Sequence, residues 1–143
     1  MIRTESELRK AVQQREQHDE SLKRQREEFL SEGLTEGEAE RALAPLRTFR
    51  QGLVEEIESF ERLRAGDLKE VETYEGLGKQ LVALRIARGM TQRELAERIG
   101  IHESQVSRDE RHEYHGVTLE RASRILQAYG VKMTPTYEVA EAS

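Results

Sequence analysis

Residues 91–111, TQRELAERIGIHESQVSRDER, constrain the fold more than any other stretch of the chain. Thr91 is followed three positions later by Glu94, the spacing of a capping box. There the hydroxyl accepts from a first-turn amide and the carboxylate reaches back to the cap. Met90 and Leu95 stand where a hydrophobic staple pins the entering chain. Leu95, Ala96 and Ile99 recur at helical spacing on one face. Gly100 follows where a left-handed residue ends a helix, a conformation glycine adopts without a Cβ penalty. A second helix starts near His102, an N-cap position that Ser or Thr fills better. It turns Val106 inward and leaves Glu103, Ser104, Gln105, Ser107 and Arg108 mostly outward. Ala96 is small enough for the two helices to cross at a sharp angle. The pattern predicts two short helices joined by a tight turn, with hydrogen-bonding side chains on the outer face of the second.

The pattern continues on both sides. L-R-x-x-R-G-M-T-Q-x-E-L-A-x-x-I-G-I is followed by S-Q-V-S-R-x-E and then by T-L-x-R-A-x-x-I-L-x-x-Y-G-V, all within residues 77–131. This segment resembles the Xre/Cro/phage-repressor helix-turn-helix family. The resemblance implies a five-helix-type domain whose second motif helix enters the major groove of duplex DNA. It also implies roles for particular residues. Gln92 is expected against the phosphate backbone, bracing the recognition helix. Arg85 and Glu110 are expected to form a partly buried ion pair that locks helices together. Asp109 departs from the family, which places a large apolar residue there.

The outward side chains suit base reading. Arg108 can bridge guanine O6 and N7, Gln105 can bridge adenine N6 and N7, Glu103 can accept from cytosine N4, and Ser104 serves either role. Arg88, Thr91, Arg93, His102, Ser107 and Thr118 are candidates for phosphate contacts, which position a protein on DNA without reading it. Thr118 is also the expected N-cap of the next helix, with Val117 and Ala122 as its staple.

The formal net charge of −5 appears unsuited to a polyanionic partner. It is unevenly spread. Residues 1–75 hold 13 Lys/Arg against 19 Asp/Glu, a net −6, whereas residues 79–132 hold 10 against 7, a net +3. A local, modest basic footprint is what DNA attraction requires.

Charged residues make up 36% of the chain and aromatics 5%, a balance that suits long solvated helices better than a large core. Residues 4–30 lack Pro and Gly and read as a helix with a thin apolar stripe of Leu8, Val12, Leu22 and Phe29. A second helix is expected over residues 35–64, striped by Leu43, Leu46, Phe49, Leu53, Ile57, Phe60 and Leu63, with Pro45 imposing a kink or a late start. Together they predict a helical hairpin or coiled coil over residues 1–66. A linker over 67–76, the helix-turn-helix domain over 77–131 and a tail over 132–143 complete an all-α chain. Linker and tail both carry β-type residues, and Pro135 excludes helix in the tail, so a short β-pairing of the two is an alternative to plain coil.

These features predict a sequence-specific, DNA-binding transcription regulator acting as a homodimer on a palindromic operator, with residues 1–66 as the dimerising arm. The alternative is an antitoxin-like protein that represses its own operon and binds a protein toxin. A protein-interaction module without DNA binding is a further rival, to which Glu103, Asp109 and the acidic arm lend weight. With no cysteine, no apolar run long enough to span a membrane and no signal-peptide pattern, a cytoplasmic protein is expected. The His112-x-x-His115 pair lacks the frame of a zinc motif, and no acid, base and nucleophile fall into a catalytic arrangement. No metal, no cofactor and no enzymatic activity are expected.

Overall fold

The computed structural model describes residues 1–142. Among them there are six helices and no strand. No helix is long and apolar enough to cross a membrane. The chain divides into two compact units, one over Met1–Asp67 and one that begins at Leu68.

The first unit is a hairpin of α1 (Glu5–Ser31) and α2 (Glu36–Arg64). Thr4 and Thr35 cap the two helices, each hydroxyl accepting from the amide three residues on at 3.2 Å. The helices run antiparallel, as their ion pairs record. Glu5 meets Arg64 at 2.9 Å, Asp19 meets Arg50 at 2.6 Å, and Arg26 meets Glu36 at 3.3 Å. Ala11 and Leu22 of α1 pack with Ala39, Leu43, Ile57 and Phe60 of α2, and Ile2 tucks in beside them. The α2 stripe is therefore largely covered by α1 in the same chain. The exception is Phe49, 57% exposed, whose ring lies against that of His18 at a centroid distance of 4.9 Å. Pro45 does not delay α2, which begins nine residues earlier and continues through it. One ladder hydrogen bond is lost there, and the burial on either side outweighs it.

The second unit holds α3 (Tyr74–Ala87), α4 (Gln92–Ile99), α5 (Glu103–Arg111) and α6 (Leu119–Ala128). Threonine caps three of them. The capping box of Thr91 and Glu94 is complete, and Gly100 ends α4 at φ 72°. Leu81, Val82, Leu95, Val106 and Ile125 form the centre of the core. Two arginines tie α4 to α6 reciprocally: Arg98 donates to the Ala128 carbonyl at 2.8 Å, and Arg124 donates to the Ile99 carbonyl at 2.6 Å. Each fills carbonyls that a helix end leaves without intrahelical donors.

Four helices stand where the family resemblance suggests five. After Gly130 (φ 66°) the chain leaves helix and does not resume it among the described residues. The alternative for linker and tail, a short β-pairing, is absent among the described residues. The two segments do line one groove, with Val71 and Tyr74 on one side and Met133 and Tyr137 on the other, but no ladder forms among the described residues.

The loop after α5 is held tightly. Glu113 and Tyr114 both adopt left-handed backbone, at φ 53° and 54°, which is strained for residues with a Cβ. Tyr114 is buried, and the Glu113 carbonyl lies where a Cβ on Gly78 would be, 1.9 Å away. Only glycine at position 78 lets α3 approach this loop.

The hairpin's packing yields a contrast within one stripe. Leu43→Ala should lower stability by about 2–5 kcal/mol, the cost of a core cavity. Phe49→Ala should change it by less than about 1 kcal/mol, since more than half of its surface is already in water. Urea unfolding of the two variants checks this, and equal losses would contradict the packing described.

Candidate nucleic-acid interface

A buried charged network sets the position of α5. Arg85 of α3 is 3% exposed and Glu110 of α5 is 1% exposed. Arg85 Nε donates to Glu110 Oε1 at 2.5 Å and Nη2 donates to Oε2 at 2.8 Å, the two-pronged geometry that best suits guanidinium and carboxylate. Arg85 Nη1 also donates to the Met90 carbonyl at 2.7 Å, just ahead of α4. Burial works against the Arg85 charge, but the hydrogen bonds and charge of Glu110 outweigh it and hold the guanidinium pKa above its ordinary value. Two tyrosines, Tyr114 and Tyr129, close over this site, and burial raises both phenol pKa values well beyond the usual range.

Gln92 belongs to the same network. Its Nε2 donates to Glu110 Oε2 at 2.8 Å, and the side chain is buried. Of the two parts of the expected role, bracing the recognition helix corresponds to this bond to Glu110. The first turn of α4 is drawn inward by a carboxylate with a spare lone pair, so Gln92 braces α5 from beneath.

The face of α5 directed away from the core carries Glu103, Ser104, Arg108 and Arg111, all exposed, with Gln105 and Ser107 half-buried at its flanks. Ser104, Arg108 and Arg111 fall at the i, i+4, i+7 spacing of one helical stripe. His102 caps the helix through Nδ1, which accepts from the Ser104 amide at 3.1 Å and leaves Nε2–H as the donor of the neutral ring. The other expected phosphate contacts sit on separate elements. Thr91 and Thr118 spend their hydroxyl oxygens as caps and keep a proton to donate. Arg93 is exposed beside Glu97 at 3.9 Å. Arg88 is exposed at the end of α3, with a long 3.5 Å contact to the Gly130 carbonyl.

Two of the three acids of α5 are compensated from within, and Glu103 stays exposed on its first turn. Glu110 is paired with Arg85, and Arg121 of α6 reaches Asp109 at 2.8 Å. Asp109 is half-buried, and an ion pair to α6 stands where the family resemblance implies an apolar contact. Arg108 and Arg111 have no ion pair or hydrogen bond from their side chains among the described residues, so the outer face of α5 keeps two uncommitted cations. Arg111 was not among the residues singled out from sequence, although its spacing from Ser104 and Arg108 was a usable signal. Arg121 was also missed. Its signal was the unmatched charge of Asp109 in a position that is ordinarily apolar. No group of three metal-donor side chains is gathered among the described residues.

A family model described as helix-turn-helix matches residues 81–135, which takes in the second half of α3, all of α4, α5 and α6, and the start of the tail. Neither a curated protein nor a solved structure matches the chain.

Removing one partner of a buried pair strands the other charge. Glu110→Ala should lower stability by about 3–5 kcal/mol, with Gln92→Ala nearer 1 kcal/mol, the net worth of one hydrogen bond. Thermal melts check both. A Glu110→Ala shift within about 0.5 kcal/mol, as at a surface site, would show that the network does not carry the fold.

Proposed function

We propose that this chain, which carries an Xre/Cro-type helix-turn-helix domain, is a cytoplasmic, sequence-specific regulator of transcription. It acts as a homodimer on a palindromic operator and has no enzymatic activity or cofactor. One observation supports this above others. The outer face of α5 presents two uncommitted arginines, Arg108 and Arg111, against one exposed acid, Glu103, on a helix whose other two acids are paired inside the domain and whose position is locked by Arg85, Glu110 and Gln92. A rigid, locally cationic helix face rich in hydrogen-bonding groups suits the major groove.

In this reading Arg108, Gln105, Ser104 and Glu103 read base edges. Arg88, Thr91, Arg93, His102, Ser107 and Thr118 position the domain on phosphates, with Gln92 acting through Glu110. A dimer places two α5 helices about 34–36 Å apart, one turn of DNA, so that both enter one face of the duplex. The hairpin supplies the second contact, along the face that carries Phe49 and His18. The antitoxin alternative draws on the same feature: an exposed aromatic on an acidic hairpin also suits a protein partner.

Selection on random duplexes, followed by titration at several salt concentrations, tests the reading. Affinity should fall steeply as salt rises. Arg108→Ala should cost about 1–3 kcal/mol on the preferred site and relax one or two base pairs. Arg93→Ala should weaken all duplexes alike and reduce the salt slope by about 1. Absence of salt-dependent binding to any duplex would reject DNA recognition.

Deleting residues 1–66 should leave a folded monomer that loses at least about tenfold on a palindromic site, because two half-sites no longer bind as a unit. Sedimentation of both forms decides the arm's role. A truncated protein that stays dimeric would transfer the arm to a protein partner and favour the antitoxin reading.

A further inference from the structure

Asp109 sits one turn beyond Gln105 on α5. Gln105 Nε2 donates to Asp109 Oδ1 at 3.0 Å, while Arg121 Nη2 lies 2.8 Å from Asp109 Oδ2. Those two charged atoms are sealed from solvent, and each is the other's partner. The orientation of the amide follows from charge. An ionised carboxylate only accepts, so Gln105 must turn its nitrogen toward Asp109 and its oxygen away. Oε1 and the second N–H of Gln105 then have no partner among the described residues, beside the exposed stripe of Ser104 and Arg108.

We propose that Asp109, held by Arg121, is a positioning residue that sets base specificity: it clamps the Gln105 amide in one orientation and makes Gln105 select adenine over guanine. The proposal rests on the DNA-reading role of α5. In the major groove adenine shows one acceptor, N7, and one donor, the N6 amino group, whereas guanine shows two acceptors, N7 and O6. A clamped amide offers one donor and one acceptor in fixed order, which complements adenine. Guanine needs two donors, yet one N–H is held by Asp109, and Oε1 would face O6 with like partial charge. A free amide has no such bias. Its terminal torsion is broad and roughly two-fold, so it can turn its nitrogen to either purine. Asp109 touches no base in this arrangement; it removes the rotamer that would accept the wrong one. Arg121 anchors the carboxylate and screens its charge from nearby phosphates.

The experiment uses the full-length protein. Random-duplex selection first defines the base pair whose preference Gln105→Ala erases. Dissociation constants are then measured on adenine and guanine versions of that site. The native protein should favour adenine by at least about tenfold, within the range for a good bidentate contact. Asp109→Ala and Asp109→Asn should bring the ratio within about threefold while leaving affinity for random duplex and the salt slope unchanged. Arg121→Ala should shift the ratio in the same direction by less. Asp109→Leu combined with Arg121→Leu, which removes both charges together and strands neither, keeps the test independent of folding: its melting temperature should be held while the ratio still collapses. An adenine preference that survives in Asp109→Ala, Asp109→Asn and the double variant overturns the clamp and leaves DNA reading intact. Duplex binding in which Gln105→Ala changes no base preference also overturns the clamp alone. Failure of the native protein to prefer any sequence overturns both.

Discussion

The two-pronged contact between Arg85 and Glu110 is the interaction on which the second unit depends. It joins α3 to α5 across the centre of the domain, and both groups are almost fully shut off from water. A charge so placed is costly unless every hydrogen-bonding position is met. Here Met90 takes the third prong of the guanidinium and Gln92 takes the second lone pair of Glu110 Oε2. The network therefore gathers the end of α3, the entry and first turn of α4, and the far end of α5. A greasy contact of the same size would hold these elements together but would tolerate sliding. A hydrogen-bonded fork tolerates little, because a shift of about an ångström breaks bonds that nothing else can replace.

The same economy of charge explains how an acidic chain presents a basic helix. Arg98 and Arg124 are spent on carbonyls at the C-terminal ends of α6 and α4, and Arg85 and Arg121 neutralise Glu110 and Asp109, two of the three acids of α5, leaving Glu103 on its outer surface. What remains on the outer surface of α5 is decided by subtraction. Counting net charge over residues 79–132 treats all ten cations as equal, whereas only those without an internal duty contribute fully to a field outside the domain. Arg108 and Arg111 stand in that position on α5.

Local rules made much of this legible from sequence. Thr91, Glu94 and Gly100 act through neighbours three to five residues away, so cap, box and turn could be read from spacing alone. The hairpin boundaries followed in the same way, from Thr35 and from the apolar rhythm of α2. What depended on distant elements was less visible. Among the described residues the chain beyond Gly130 takes no regular structure although it passes beside the linker, so four helices stand where the resemblance implies five. The inward position of Gln92 depends on a lone pair of Glu110, eighteen residues on. The strained pair Glu113 and Tyr114 carries no sequence mark of its own. Its only trace is Gly78, an interior helical glycine whose reason is a carbonyl from the other side of the domain.

Asp109 shows how a departure from a family pattern can be read physically. An apolar residue at that position contributes burial and nothing directional. A carboxylate there demands a cation, and Arg121 of α6 supplies it. Once paired, the carboxylate still has an oxygen to offer, and the donor within reach is the amide of Gln105 one turn earlier on the same helix. A carboxylate here thus makes a directional site where an apolar side chain would make a non-directional one, and it couples α6 to a side chain at the flank of the outer face of α5. Arg85 and Glu110 set where α5 lies; Asp109 and Arg121 set how one of its side chains is turned. The two pairs occupy adjacent positions on the helix yet face different neighbours, α3 and α6, so backbone placement and side-chain orientation are governed by separate contacts.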